Sequence, residues 1–340
     1  MPSPLVIPVA AIRAVAPHSN ADSLDVCQVL GWQCVVGRGQ FKEGDKVIYF
    51  PSDTVLSPEF SDSLGVTQYL HKGRIKPTRL RGEPSFGLVV PCPNDEWDIG
   101  DNVAEHFPGA SKYEPPTREA QPGQGKFIPN PNAVPRNPLF PEYTGINNLR
   151  HYPDIFGADE LVVVTEKLHG SNSRIGMIDG EWLAGSHHVQ RGEGDAVYWS
   201  PRKHAEKLVE ALGKYHRQVV LYGEILGSDV QSLDYGFEGH EGYRAFDIMV
   251  DGRYLDYDAF EAICWHYQTP SVPALFVGSY GFDMIRQFAR GDTMLNAQHI
   301  REGVVVKPLI ERHDPKVGRC IMKYVSDDYL LAKRSDFTEV

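Results

Sequence analysis

The 340-residue chain is 41% hydrophobic, has five scattered cysteines and carries a formal net charge of −11, proportions that suit a folded globular protein with room for two cores. No apolar run approaches the ~20 residues that span a bilayer, no CxxC pair signals zinc or a disulfide framework, and the acidic balance argues against a surface that coats nucleic acid indiscriminately. With no basic stretch leading into an apolar one at the start, a reducing cytoplasmic location, no membrane association and a monomer are expected.

Residues 1–115 read as all-β. Runs at 4–9, 24–30, 33–36, 46–50 and 87–91 are rich in β-branched residues and separated by turn residues, which predicts a five-stranded OB-type barrel. The segments 18–24 and 41–47 resemble parts of tRNA-binding-type OB modules. Lys72, Arg74, Lys76, Arg79 and Arg81 fall within ten residues with no acid among them. In a strand the first three would share a face and could track a phosphate backbone, so all five are candidate RNA contacts. The plainer alternative is an edge strand whose cations block aggregation.

Prolines crowd residues 116–138, which predicts a semi-rigid linker and a second domain over 139–340. That domain opens with a stretch of aromatic and amide residues in which Arg150 is a further candidate for RNA or phosphate. A buried strand over 160–167 ends in Glu166 and Lys167 before a Gly-Ser-Asn turn, and a hairpin follows around Asp179-Gly180. His187 and His188 raise the question of a metal, but neighbours on a strand point to opposite faces, so no site is expected there. Ser200 and Pro201 open a helix with Ala205, Leu208 and Leu212 as its stripe. A second helix spans 258–266, and two strands follow near 301–307 and 320–325.

Lys167, Glu224, Asp247, Glu302, Lys307 and Lys323 each place one charge in or beside an apolar strand. Unpaired charges are costly to bury, so their repetition predicts a shared polar pocket for a polyanion with a divalent metal. Lys167 is either a solvent-seeking strand-end lysine or a partly desolvated nucleophile. Order and spacing favour the second. The segments 166–172, 222–227, 246–248, 302–307 and 322–324 resemble motifs I, III, IIIa, IV and V of the covalent nucleotidyltransferases. Lys167-Leu168-His169-Gly170-Ser171-Asn172 is similar to motif I of ATP-dependent RNA ligases of the nick-sealing type with an N-terminal OB domain.

The resemblance implies an α+β protein, with the OB-type barrel followed by a nucleotidyltransferase domain of antiparallel sheets with flanking helices. It implies ATP as cofactor, AMP carried on Lys167, Mg2+ or Mn2+, and RNA bearing 3′-hydroxyl and 5′-phosphate ends, as in a nicked duplex under repair. By similarity Glu166 accepts from adenine, His169 faces the departing phosphates, and Phe246 stacks on the base. Asn172, Glu224 and Glu302 serve the metal or ribose, and Lys307 and Lys323 contact the α-phosphate. Arg191 resembles the arginine of motif Ia with looser spacing. Ile321 stands where related ligases usually have another lysine, a contact that Arg319 or Lys307 would supply. Nearby cations would disfavour a protonated Lys167. The rivals are a capping-type guanylyltransferase or DNA ligase, whose motifs precede the OB module, and a non-catalytic RNA-binding protein with a degenerate ligase domain.

Overall fold

The computed structural model describes residues 5–113 and 132–332, apart from 228, 229, 231, 232, 234 and 238. These fall into two compact units: 5–113 with 150–153 and 330–332, and 132–149 with 154–329. Residues 116–131 of the proline-rich stretch lie outside the described residues. Its remainder runs beside Gln190 and Arg191, where the Val134 amide donates to the Gln190 carbonyl (3.1 Å) and the Gly192 amide to Asn132 (2.8 Å). No helix among the described residues is long and apolar enough to cross a membrane.

In the first unit β1 (Val9–Pro17), β2 (Leu24–Val29), β3 (Trp32–Gly37), β4 (Lys46–Phe50) and β5 (Leu88–Pro91) form one sheet in the order β3-β2-β1-β4-β5. β2 and β3 alternate buried and half-exposed residues, the pattern of a sheet with one face on a core. Its edge strand β3 meets the segment before β5, because the Phe86 amide donates to Gln33 (2.9 Å) and the Val35 amide to the Ser85 hydroxyl (3.0 Å). The first strand lies later than its apolar residues suggest. Pro8 has no N–H to give a ladder, so pairing with β4 begins at Val9 opposite Ile48 and the strand continues through an alanine-rich stretch.

The second unit comprises β6 (Asn147–Asn148), β7 (Leu161–Lys167), β8 (Ser171–Ile178), β9 (Glu181–Ser186), β10 (Gln190–Arg191), α1 (Arg202–Gly213), β11 (Gln218–Leu226), β12 (Gly242–Val250), β13 (Arg253–Tyr254), α2 (Tyr257–Tyr267), β14 (Ala274–Ser279), β15 (Gly303–Pro308) and β16 (Met322–Val325). Two large sheets result, ordered β6-β16-β15-β7-β14 and β10-β9-β8-β11-β12-β13, beside a two-stranded ribbon at 313–319. The β8–β9 hairpin turns at Asp179 (φ 51°) and Gly180 (φ 85°), both left-handed as a type I′ turn requires. Ser200 does not cap α1. It ends the preceding helical turn, its hydroxyl donating to the Val197 carbonyl (2.9 Å), and Pro201 takes the capping position.

β11 is the central strand and is covered on both faces. Val219 and Leu221 pack with Ala205, Leu208 and Val209 of α1 and Phe260 and Cys264 of α2. Val220 and Tyr222 pack with Phe140, Tyr143 and Ile321 on the other side. Each fully buried Val or Leu stabilises the fold by about 1.5–3 kcal/mol, which ties β11 firmly between the layers. Two-residue periodicity then puts Glu224 on the Val220 and Tyr222 face, toward the five-stranded sheet.

Candidate active site

β7 and β8 follow one another in sequence yet belong to different sheets, so the connection 168–170 crosses between them. A cavity of about 240 Å³ opens there, lined by Glu166, Lys167, Asn172, Glu224, Phe246 and Lys307 with Tyr143 and Ile321. Ser171 and Asn172 are already part of β8 rather than of a turn, and Asn172 pairs directly with Glu224. Gly170 is required by close approach: a Cβ there would lie 2.2 Å from the Ile225 carbonyl and 2.8 Å from Glu224 Cγ. Its amide donates to Glu224 Oε1 (3.0 Å), aiming that carboxylate.

Phe246 reaches the cavity through a bulge. Tyr222 pairs with Asp247 but Gly223 pairs with Ala245, leaving Phe246 as the extra residue. A bulge re-aims a side chain that strict alternation would turn away, and Phe246 and Asp247 both meet Tyr143. Its ring lies 4.8 Å from Phe246, and its hydroxyl donates to Asp247 Oδ2 (2.7 Å).

Lys167 Nζ is 2.7 Å from Glu302 Oε1. Burial pushes the ammonium toward its neutral form, but Glu302 and then Glu224 more than offset this and hold its pKa above the ordinary lysine value. The expectation that nearby cations disfavour protonation is therefore corrected for the protein alone, because the groups nearest the amine are carboxylates. Glu302 is buried, yet Lys167 and His169 keep its carboxyl below the usual range. Burial pushes Glu224 up to about 7.

Several buried acceptors have no hydrogen-bond donor: Asn172 Oδ1 and Glu166 Oε1 in the cavity wall, and Oε2 of Glu302, which pairs with Lys167 without lining the cavity. Orphaned buried acceptors are costly and point to a ligand that satisfies them. Glu302, Asn172 and Glu224 offer hard oxygens of the kind that suit Mg2+ or Mn2+. The other Glu166 oxygen accepts from the Met294 amide (2.8 Å) with Arg301 3.8 Å away, so the side chain is fixed and its free oxygen is presented to the cavity.

Residues 160–325, most of this unit, match the family model described as RNA ligase. This unit belongs to the RNA ligase family. Residues 6–92 match the model of an OB-fold domain. The ligase fold also appears in structures of Naegleria gruberi RNA ligase. A lysine-to-alanine mutant with ATP and Mn has a TM-score of 0.73 at 23% identity, covering 96% of this chain and 98% of that one. A lysine-to-methionine mutant with AMP and Mn gives 0.72 at 23%, covering 96% and 98%. The same enzyme with pyrophosphate gives 0.73 at 23%, again covering 96% and 98%. No curated protein matches the sequence.

The other expected site residues of the ligase unit fall at different distances from the cavity. His169 does not line it. Its amide donates to the Tyr235 hydroxyl (2.8 Å), and its Nδ1 lies 3.5 Å from Glu302 Oε2. Lys323 sits opposite Val305, a cavity residue, and directly opposed side chains share a face. Lys307 lines the cavity while paired with Asp247 (2.9 Å). Arg319 is not a free substitute for the lysine missing at Ile321. It is buried against Asp247 (2.6 Å), Glu311 (2.6 Å) and the Tyr254 ring (3.5 Å), while Ile321 is part of the cavity wall. Arg191 stands outside the wall, 3.6 Å from Asp195 and over the Tyr198 ring, whose hydroxyl shares a hydrogen bond with Ser171.

The basic residues of the OB unit divide. Lys72, Lys76, Arg79 and Arg81 are exposed, but residues 72–76 are no strand: Lys72 (φ 53°) and Gly73 (φ 79°) turn the chain and Ile75 is buried. Arg74 is held by Asp53 (2.7 Å from Nε) and lies over the Tyr113 ring at 3.6 Å. Arg150 is 2% exposed, its guanidinium over Trp32 (4.5 Å) and Phe86 (5.4 Å), so it is a packing residue and not a surface contact. Tyr143, Tyr235 and Arg301 support the site without having been singled out, since one aromatic or arginine in a loop carries no periodic signal.

Proposed function

We propose that this chain is an ATP-dependent RNA ligase that joins 3′-hydroxyl and 5′-phosphate RNA ends through an AMP adduct on Lys167. The observation that carries this reading is Lys167 at the end of β7, paired with Glu302 and lining a cavity in which the buried acceptors of Glu166 and Asn172 lack donors. Solved structures of the Naegleria enzyme with ATP, AMP and pyrophosphate, each reactant or product of adenylylation, support the choice of nucleotide.

In the first step Lys167 Nζ, having lost a proton, attacks the α-phosphorus; the P–N bond forms and the bond to the β-phosphate oxygen breaks, releasing pyrophosphate. Glu302, Asn172 and Glu224 would hold a divalent cation, which would supply positive charge for the phosphoryl oxygens and draw carboxylate charge away from the lysine. Glu166 accepts from the adenine amino group, Phe246 covers the base, and Lys307 and Lys323 offset charge on the α-phosphate. His169 faces the leaving phosphates, and Arg191 supports the same side through Tyr198 and Ser171. An oxygen of the RNA 5′-phosphate then displaces Lys167 from the adenylate, and the 3′-hydroxyl displaces AMP to leave a phosphodiester.

The exposed Lys72, Lys76, Arg79 and Arg81 support RNA contact by the OB unit through phosphates. A nick in an RNA duplex is the proposed substrate, acted on by a monomer in the cytoplasm during RNA repair. The deciding experiment mixes the chain with α-labelled ATP, or GTP, and magnesium, followed by a denaturing gel beside Lys167→Ala. Label from ATP on the wild type alone establishes the adduct. Label from GTP favours a capping enzyme, and no label with magnesium or manganese leaves a non-catalytic RNA-binding protein.

A further inference from the structure

His187 and His188 do not point to opposite faces. They are the two central residues of a tight turn between β9 and β10, closed by the Ser186 amide donating to the Val189 carbonyl (2.9 Å) and the Val189 amide to the Ser186 hydroxyl (3.1 Å). Their rings meet edge to face, centroids 4.2 Å apart. Glu142 joins them, and one donor atom from each of the three lies within 4.8 Å of the others.

We infer that Glu142, His187 and His188 bind one divalent ion of the zinc class, at a site separate from the nucleotide cavity. Two imidazoles and a carboxylate are the donor set that zinc-class ions favour over magnesium, with a fourth position left for water. In a tetrahedral site with bonds of about 2.0–2.2 Å, donor atoms stand about 3.3–3.6 Å apart. His188 Nδ1 and Glu142 Oε2, now 2.9 Å apart, need open only slightly for an ion to take the place of the shared proton. The His188 side chain is 73% exposed, so it is free to make that adjustment.

The surroundings are built as an outer shell. Arg136 sits 3.2 Å from Glu142 Oε1 and fixes the oxygen that the ion leaves unused, and such second partners orient metal ligands. The start of β10 is secured as well, since Gln190 Oε1 accepts from the Asn137 amide (2.8 Å). A bound ion would pin the 187–188 turn to the segment that carries Tyr143, a wall of the nucleotide cavity.

The test uses the full chain without a histidine tag, stripped of metal and kept in excess Mg2+ so that the oxygen-only site is occupied. Co2+ is titrated in as a spectroscopic probe and then displaced by Zn2+. One equivalent with visible d–d absorption is expected, at least tenfold weaker in His188→Ala and lost in His187→Ala/His188→Ala, with Glu142→Gln in between. Zn2+ should also raise the Tm of the wild type and not that of the double variant. The inference fails if the double variant binds as the wild type does, if no stoichiometric binding occurs, or if Glu302→Gln alone abolishes the signal, which would place the ion in the nucleotide cavity.

Discussion

Asp247 is fully buried and bonded to Lys307 (2.9 Å), Arg319 (2.6 Å) and the Tyr143 hydroxyl (2.7 Å), while both cations are at most 5% exposed. Asp247→Asn keeps the shape and removes the charge, leaving two buried cations with Glu311 alone to balance them. Breaking a buried ion pair from one side costs about 3–5 kcal/mol. For a unit of roughly two hundred residues this is about 6–20 °C in Tm. Urea unfolding followed by circular dichroism should show that loss near neutral pH. Burial alone would raise the Asp247 carboxyl, but Lys307 and Arg319 more than offset it and lower its pKa from the ordinary 3.8. Its stabilisation is therefore present above that value and lost as pH falls through the folded one, so the gap between wild type and variant should narrow below about pH 4. Replacing the whole group, Glu311 included because it pairs with both cations, by Asp247→Leu, Lys307→Met, Arg319→Met and Glu311→Met should recover much of the stability. A loss below about 1 kcal/mol in Asp247→Asn would refute the view of a dry, mutually dependent cluster.

In the metal-free chain Glu302→Gln should lower the Lys167 pKa, read by NMR on labelled lysine. That pKa is raised by the pair, so its stabilisation is complete below the ordinary 10.5 and lost as pH rises through the folded value; an unmoved pKa would show that Glu302 is not its cause. Gly170→Ala, with no room for a Cβ beside Ile225 and Glu224, should cut adduct formation at least tenfold while the chain stays folded by circular dichroism. Arg150→Ala should destabilise the OB unit by about 1–2 kcal/mol by uncovering the rings of Trp32 and Phe86, with the salt dependence of RNA binding unchanged. Removing Lys72, Lys76, Arg79 and Arg81 together should instead flatten the salt dependence by roughly one unit of slope for each phosphate no longer neutralised; an unchanged slope would take RNA off that surface.

The charged strands are legible because charge in an apolar run is expensive: Lys167 and Glu224 meet at the cavity, Glu302 pairs with Lys167, and Asp247 is neutralised by Lys307 and Arg319. The turn at Asp179-Gly180 was equally legible, since few residue pairs accept two left-handed conformations. Other features depend on neighbours far away in sequence. The Phe246 bulge is a mismatch between two strands and leaves no local mark. Arg150 looks like a surface cation until Trp32 and Phe86 cover it, and alternation at 72–76 misleads because Lys72 and Gly73 turn the chain. The histidine pair misleads for the same reason, because strand alternation does not apply where the chain makes a turn.

The Lys167–Glu302 pair also bears on the chemical durability of the idle protein. A lysine kept as an ammonium has no lone pair to offer cyanate, reducing sugars or lipid aldehydes. A nucleophile held permanently as a free amine would be among the first side chains lost to carbamylation or glycation, and each loss would be a dead molecule. On the proposed role of Lys167, the carboxylate offsets the burial that would otherwise favour the free amine, a safety catch that holds until nucleotide and cation arrive together.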